Sequence, residues 1–173
     1  MGSTFVRGAE KSDTKSLLKM PPYAKCGLGF PCSEEILLAV NNRKVLGAVS
    51  VCRKDIAYVH GKWKDSSEQC LSDLLQRVSG GWISKLYVFP QYRDRGIGTE
   101  LVKEAVESLK QKNFDEVYAG INVKNKFRNV SRHLFEKNGF TEEGSCICPL
   151  FKGHCRGTLL KKNTRSSNQR KRE

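Results

Sequence analysis

The chain predicts an α/β domain. Three observations carry that expectation. β-rich apolar runs alternate with stretches of helical periodicity, one such run passes through a glycine-bearing loop straight into an amphipathic helix, and 173 residues suit one domain with a real core.

Taken in order, Thr4–Ala9 (TFVRGA) form a short first strand. Asp13 caps a brief helix to about Met20, which Pro21-Pro22 stops. The segment PPYAKCGLGFPC is rich in Pro and Gly and reads as loop. EILLAV and VLGAVSV follow as two strands of a hairpin turning at Asn41-Asn42-Arg43-Lys44. Ser66-Ser67-Glu68-Gln69 resembles a capping box, and Cys70, Leu71, Leu74, Leu75 and Val78 make a helical stripe that Gly80-Gly81 ends. WISKLYVF is the next strand. Beyond the glycine loop, Leu101, Val102, Ala105, Val106 and Leu109 mark an amphipathic helix to about Lys112. EVYAGINV is a strand, and a helix from about Asn129 packs Val130, Leu134 and Phe135 before Gly139 closes it. SCICPLF and CRGTLLKK finish the domain as a hairpin. No repeat or second domain is evident: residues 1–162 form the domain and 163–173 a polar, disordered tail.

Bulk properties narrow the class. Apolar content of 38% and charged content of 28% are ordinary for a soluble protein, and no apolar stretch approaches the roughly 20 residues a membrane helix needs. The first residues, MGSTFVRGAEK, lack the apolar run of a signal peptide, so a cytoplasmic protein without membrane partners, a monomer or homodimer, is expected. Seven cysteines, an odd number, then imply free thiols. Cys146, Cys148, His154 and Cys155, with Cys26 and Cys32 as distant partners, are too irregularly spaced for a usual zinc site. A turn at Lys152-Gly153 places Cys146, Cys148 and Cys155 on one face, where small buried thiols need no ion. No metal is expected; zinc stays the alternative. The net charge is +13, of which the last eleven residues supply +3. The body's +10 implies an anionic ligand, nucleic acid or an acidic partner, or else a solvated lysine-rich surface.

The chemistry concentrates in RDRGIG, Arg93–Gly98, directly after LYVFPQY. A strand, a glycine loop and a helix bring backbone N–H groups and the positive end of the helix dipole to one spot, which favours phosphate. Gly96 and Gly98 let backbone approach a ligand without a Cβ, and Arg93 and Arg95 add positive charge. From these six residues alone, a phosphate nest and a turn that uses two glycines are equal readings. The loop lacks the GK[ST] of a Walker A and the third glycine of a dinucleotide fingerprint.

Arg93-x-x-Gly96-x-Gly98 resembles the pyrophosphate-binding signature R/Q-x-x-G-x-G/A of the GNAT superfamily of acetyl-CoA-dependent N-acetyltransferases. FVRGAEKSDTKSLLKM resembles that family's opening strand and helix, VLGAVSV its third strand, LFEKNGF its LYEKxGF helix end and TLLKK its last strand, in family order over residues 4–162. The resemblance implies an α/β (α+β) fold: a mixed, mostly antiparallel central sheet flanked by helices and splayed between its fourth and fifth strands. It implies acetyl-CoA as co-substrate, pantetheine beside Leu86, Tyr87 and Val88, and pyrophosphate on Arg93, Asp94, Arg95, Gly96, Ile97, Gly98 and Thr99. Arg128, Asn129 and Phe135 are the further cofactor-binding candidates. It implies direct attack of a primary amine, protein or peptide before small molecule. RNA-bound amines such as aminoacyl-tRNA, reached through the basic surface and tail, and a non-catalytic acyl-CoA-binding module are the alternatives.

The sequence also departs from the family. Phe135 stands where a Tyr commonly protonates the departing thiolate, leaving Tyr118 and Cys146 as candidate acids. The family asparagine that opens this helix aligns with Arg128, beside Asn129. Trp82 and Ser84 occupy the neighbourhood of the glutamate some members use as base, so Glu34 or Glu35 acting through water is the candidate. Ahead of the second strand only a short helix and the CGLGFPC loop remain to wall the acceptor, while about twenty residues around the 66–78 helix are inserted where a tight hairpin is usual.

Overall fold

The computed structural model describes residues 3–24, 35–60, 75–122, 125–148 and 155–164. Seven strands, β1 (Phe5–Gly8), β2 (Glu35–Asn41), β3 (Lys44–His60), β4 (Leu75–Val88), β5 (Glu116–Asn122), β6 (Thr141–Cys148) and β7 (Cys155–Asn163), are hydrogen-bonded in the order β1-β2-β3-β4-β5-β7-β6. The sheet is mixed: β4 and β5 run parallel, whereas β1–β2, β2–β3, β5–β7 and β6–β7 are antiparallel. The helices are α1 (Thr14–Leu18), α2 (Pro21–Ala24), α3 (Ile97–Gln111) and α4 (Arg128–Lys137). Two compact units emerge, residues 1–53 with 83–113 and residues 54–82 with 114–173.

In the first unit β2 is buried on both faces, and its period of two divides the work. Ile36, Leu38 and Val40 join Leu17 of α1, Tyr23 of α2 and Met20 between them in one cluster. The odd-numbered positions face α3: Glu35 accepts a hydrogen bond from Ser108 Oγ at 2.9 Å. Ala39 pairs with Gly47, where a Cβ would stand 3.2 Å from the Leu101 side chain and 2.7 Å from the Tyr87 carbonyl. Glycine at 47 is therefore a requirement of close packing. The α3 stripe Leu101, Val102, Ala105, Val106 and Leu109 is buried as its period predicts. The β2–β3 hairpin turns through Asn42 (φ 46°) and Arg43 (φ 65°), two successive left-handed residues that match the strand twist.

The second unit has its own core. Val117, Tyr118, Ala119 and Ile121 of β5 and Leu159 and Leu160 of β7 are buried, and Phe135 meets Phe140 edge-on at 5.1 Å. Gly139 (φ 82°) ends α4 as expected, and Lys162 Nζ donates to the neighbouring Asn138 carbonyl at 2.6 Å.

Several expectations are corrected. Leu75, Val78, Gly80 and Gly81 belong to strand β4, not to a helix, while 66–74 lie outside the described residues. The glycine pair that reads as a helix stop is a packing device: a Cβ on Gly80 would lie 2.7 Å from the Tyr118 ring. α1 ends at Leu18, ahead of Pro21-Pro22 as expected, but the two prolines then open α2 where a loop was expected, since proline suits a first helical turn. Asp13 makes no side-chain cap to α1. It is buried, and it accepts from Arg7 (2.8 and 2.9 Å) and from the Glu10 N–H (2.9 Å), so it fastens β1 to the turn that follows. Val130 does not pack; it is 67% exposed. The closing hairpin begins earlier than expected, at Thr141, and its register sets Cys148 opposite Cys155. Cys26, Cys32, Lys152, Gly153, His154 and the tail beyond Thr164 lie outside the described residues.

Candidate active site

The first group of predicted site residues follows β4 in the first unit. At the end of that strand the Phe89 N–H donates to the Leu46 carbonyl at 3.0 Å, which ties the exit to β3. Pro90 then starts a 3₁₀ turn over Pro90–Tyr92. Asp94 (φ 60°) and Gly96 (φ 79°) take left-handed backbone, reversing the chain into α3. A Cβ on Gly96 would meet nothing within 4 Å, so glycine is required there for its φ and not for room. Ile97, 5% exposed, anchors the first turn in the core.

Gly96 is the N-cap of α3 and no side chain caps the helix. The first helical bond runs from the Glu100 N–H to the Gly96 carbonyl at 3.1 Å, so Ile97, Gly98 and Thr99 precede the acceptor ladder. Fifteen residues of aligned peptide dipoles concentrate roughly half a positive charge there. Backbone so arranged favours an anion.

The two arginines part company. Arg93 Nε donates to the Val88 carbonyl at 3.1 Å and its guanidinium lies 5.8 Å from the Tyr87 ring centre, so it braces the strand end. Arg95 instead stands 6.0 Å from the Tyr92 ring centre. Leu86, Tyr87 and Val88 are half-buried on β4, with Tyr87 edge-on to Phe89 at 5.5 Å.

The second group belongs to the other unit. Arg128 and Asn129 open α4 and line a cavity of about 280 Å³ with Ile121, Asn122, Arg132 and Thr158. Arg132 bridges Glu136 (2.8 Å) and Glu142 (2.7 Å); the hydrogen bond to Glu136, then the charge of Glu142, raises its pKa further. Arg128 is exposed at the helix start.

The acid and base candidates have other work. Tyr118 is 1% exposed, and its hydroxyl donates to Glu116, which also pairs with Lys161 at 3.2 Å. Phe135 is a core residue. Burial alone pushes the Glu35 carboxyl up, but hydrogen bonds from Lys112 and Ser108 and the Lys112 charge outweigh it, and the pKa falls below the usual range. Glu35 thus holds β2 to the end of α3. Ser84 Oγ donates to the Ser50 carbonyl at 3.5 Å, and Ser50 and Tyr23 share a buried hydroxyl pair at 3.1 Å. The Cys146 side chain and Glu34 lie outside the described residues.

Sequence reasoning missed Lys44 and Tyr92. Together with Thr4, Asn41, Asn42 and Arg95 they line a second cavity, of about 380 Å³, on the first unit. No local pattern marks it, because its walls come from the chain start, a hairpin turn and the loop before α3.

The acetyltransferase (GNAT) family profile matches residues 13–140, most of the chain, and the protein belongs to that family. Its fold is that of solved acetyltransferases at low identity. The Bacillus subtilis acetyltransferase in complex with CoA superposes with a TM-score of 0.63 at 14% identity, over 94% of this chain and 100% of that one. A GNAT family acetyltransferase from Elizabethkingia anophelis with acetyl-CoA bound gives 0.63 at 16%, over 92% and 97%. A chain of the NatC complex bound to Gag peptide and CoA gives 0.58 at 16%, over 94% and 99%. No curated protein sequence matches. Among the described residues no helix is long and apolar enough to cross a membrane, and no cluster of His, Cys, Asp and Glu could hold a metal.

Proposed function

We propose that this protein is an N-acetyltransferase that moves the acetyl group of acetyl-CoA to a primary amine, a protein or peptide amine before a small molecule. One observation carries the reading: the uncapped first turn of α3, entered through left-handed Gly96 at the end of a strand, in a chain of this family. In this reading the N–H groups of the loop and first turn hold the pyrophosphate. Gly98, the second helical residue, keeps that approach free of a side chain. Arg93 supports from behind by bracing Val88, and backbone N–H groups around Leu86–Val88 polarise the thioester carbonyl.

The neutral amine attacks the thioester carbon. The new C–N bond forms, the C–S bond breaks, the amine loses a proton to water, and coenzyme A leaves as thiol. Phe135 cannot protonate sulfur, yet a thiol of pKa about 8.5 departs readily as thiolate, so water suffices for the proton. A peptide acceptor is favoured by the fold shared with a chain whose complex binds a peptide. The net charge of +13 favours one second reading, an amine carried on RNA.

The test is thiol release from acetyl-CoA over panels of peptides, small amines and aminoacyl-tRNA. Release with peptides that is insensitive to salt supports the first reading. Release only with RNA, falling steeply as salt rises, supports the second. Tight acetyl-CoA binding without release on any acceptor would leave a non-catalytic acyl-CoA-binding module.

A further inference from the structure

The cavity beside the β2–β3 turn adjoins the loop before α3 through Arg95 and Ile97, and its chemistry is uniform. Lys44 Nζ stands 5.3 Å from the centre of the Tyr92 ring and the Arg95 guanidinium 6.0 Å from the same ring. Two cations are therefore gathered around one aromatic side chain. Neither forms an ion pair among the described residues, although the chain places partners for Arg7, Lys103, Lys112, Arg132 and Lys161. Among the described residues no carboxylate lines the cavity; Thr4, Asn41, Asn42 and Tyr92 contribute neutral polar groups. Like charges held together without a counter-ion repel, and a shared anion removes that repulsion while adding charge-assisted hydrogen bonds.

We propose that this cavity is a second anion site, binding the phosphate dianion of a small soluble molecule through Lys44 and Arg95, separately from acetyl-CoA. A dianion matches two cations, and a guanidinium with an ammonium is the donor pair that takes tetrahedral phosphate. Buried Leu46 and Ile97 form the floor, so the head group enters from the rim of Lys44, Asn42 and Arg95, which are exposed. Arg95 is thus gathered with Lys44 around Tyr92, while Arg93 braces the Val88 carbonyl. The proximity of Lys44 also depresses the Tyr92 phenol below its ordinary range, first through a hydrogen bond and then through its charge, and this offers a spectroscopic handle.

The test uses the full chain, with inorganic phosphate and glycerol phosphate titrated by calorimetry at ionic strength held constant with sodium chloride. Saturable binding of either probe is expected. Lys44→Glu and Arg95→Glu should each weaken it about tenfold or more, with unchanged circular dichroism. Binding should persist within about twofold in Gly98→Glu and in protein saturated with acetyl-CoA. Phosphate should also raise the ionisation midpoint of one tyrosine, an effect lost in Tyr92→Phe. Absence of saturable binding, wild-type affinity in Lys44→Glu, or displacement by acetyl-CoA would overturn the separate site. The last outcome would assign the cavity to the coenzyme and leave the acetyltransferase reading intact.

Discussion

Arg93, in the loop, and Gly98, in the first turn of α3, sit five residues apart, but physics assigns them unequal weight. Gly98→Glu puts a bulky anion where, in the proposed reading, backbone N–H groups meet phosphate, and we expect acetyl-CoA binding to fall below detection in calorimetry while circular dichroism is retained. Arg93→Ala should weaken binding by only about tenfold, because in the proposed reading the helix end supplies the cradle and the guanidinium acts through the Val88 carbonyl. Asp13 is a different kind of residue. Its carboxylate is held low first by the Arg7 hydrogen bonds, against burial, and then by the Glu10 N–H. A depressed carboxylate stabilises the fold fully above its ordinary value of 3.8, and that stability is lost as the pH falls through the lower folded value. Asp13→Asn should therefore cost about 2 kcal/mol at neutral pH in urea unfolding and flatten the loss of stability in acid. Glu35 is lowered as well, so it is ionised and tied to Lys112 at neutral pH. Glu35→Gln should leave kcat within about threefold and not move the acid limb of the rate profile, as loss of a general base would.

The elements show where local preference and packing disagree. The β2–β3 turn wants glycine at its second centre, and Arg43 at φ 65° bears the strain of a side chain there. Arg43→Gly should stabilise the protein by about 1 kcal/mol in urea unfolding, with no change in acetyl-CoA affinity. In β4 the opposite holds. Gly80 lies against the Tyr118 ring, with no room for a Cβ, so Gly80→Ala should destabilise despite the better intrinsic propensity of alanine.

For the molecule as a whole, ligand linkage offers the broadest check. A ligand that binds only the folded chain, at about 100 times its Kd, adds roughly 2.7 kcal/mol, which for a domain of this size raises Tm by roughly 5–10 °C. Acetyl-CoA should produce that shift in differential scanning calorimetry for the wild type and for Arg43→Gly, and not for Gly98→Glu. The +13 charge makes the comparison sensitive to salt, so ionic strength must be matched.

Much of this was legible in the residue order. The stripe of α3, the alternation in β2, the hairpin at Asn42-Arg43 and the glycine that ends α4 are local signals, because helix and strand periods are written within a few residues. The strand end, left-handed glycine and helix start of the Arg93–Gly98 segment were legible for the same reason, because they are contiguous in the chain. Tertiary structure alone decided the rest. Leu75, Val78 and the glycine pair fit a helix ending as well as a strand, and the Tyr118 ring against Gly80 resolves them. Asp13 reads as a cap until Arg7 reaches it, and Glu35 as a base until Ser108 and Lys112 do. The cavity of Lys44, Tyr92 and Arg95 had no signature in the residue order, because its parts lie up to about ninety residues apart. Short-range periodicity records what each segment can become, whereas burial and charge pairing depend on which distant side chains arrive beside it.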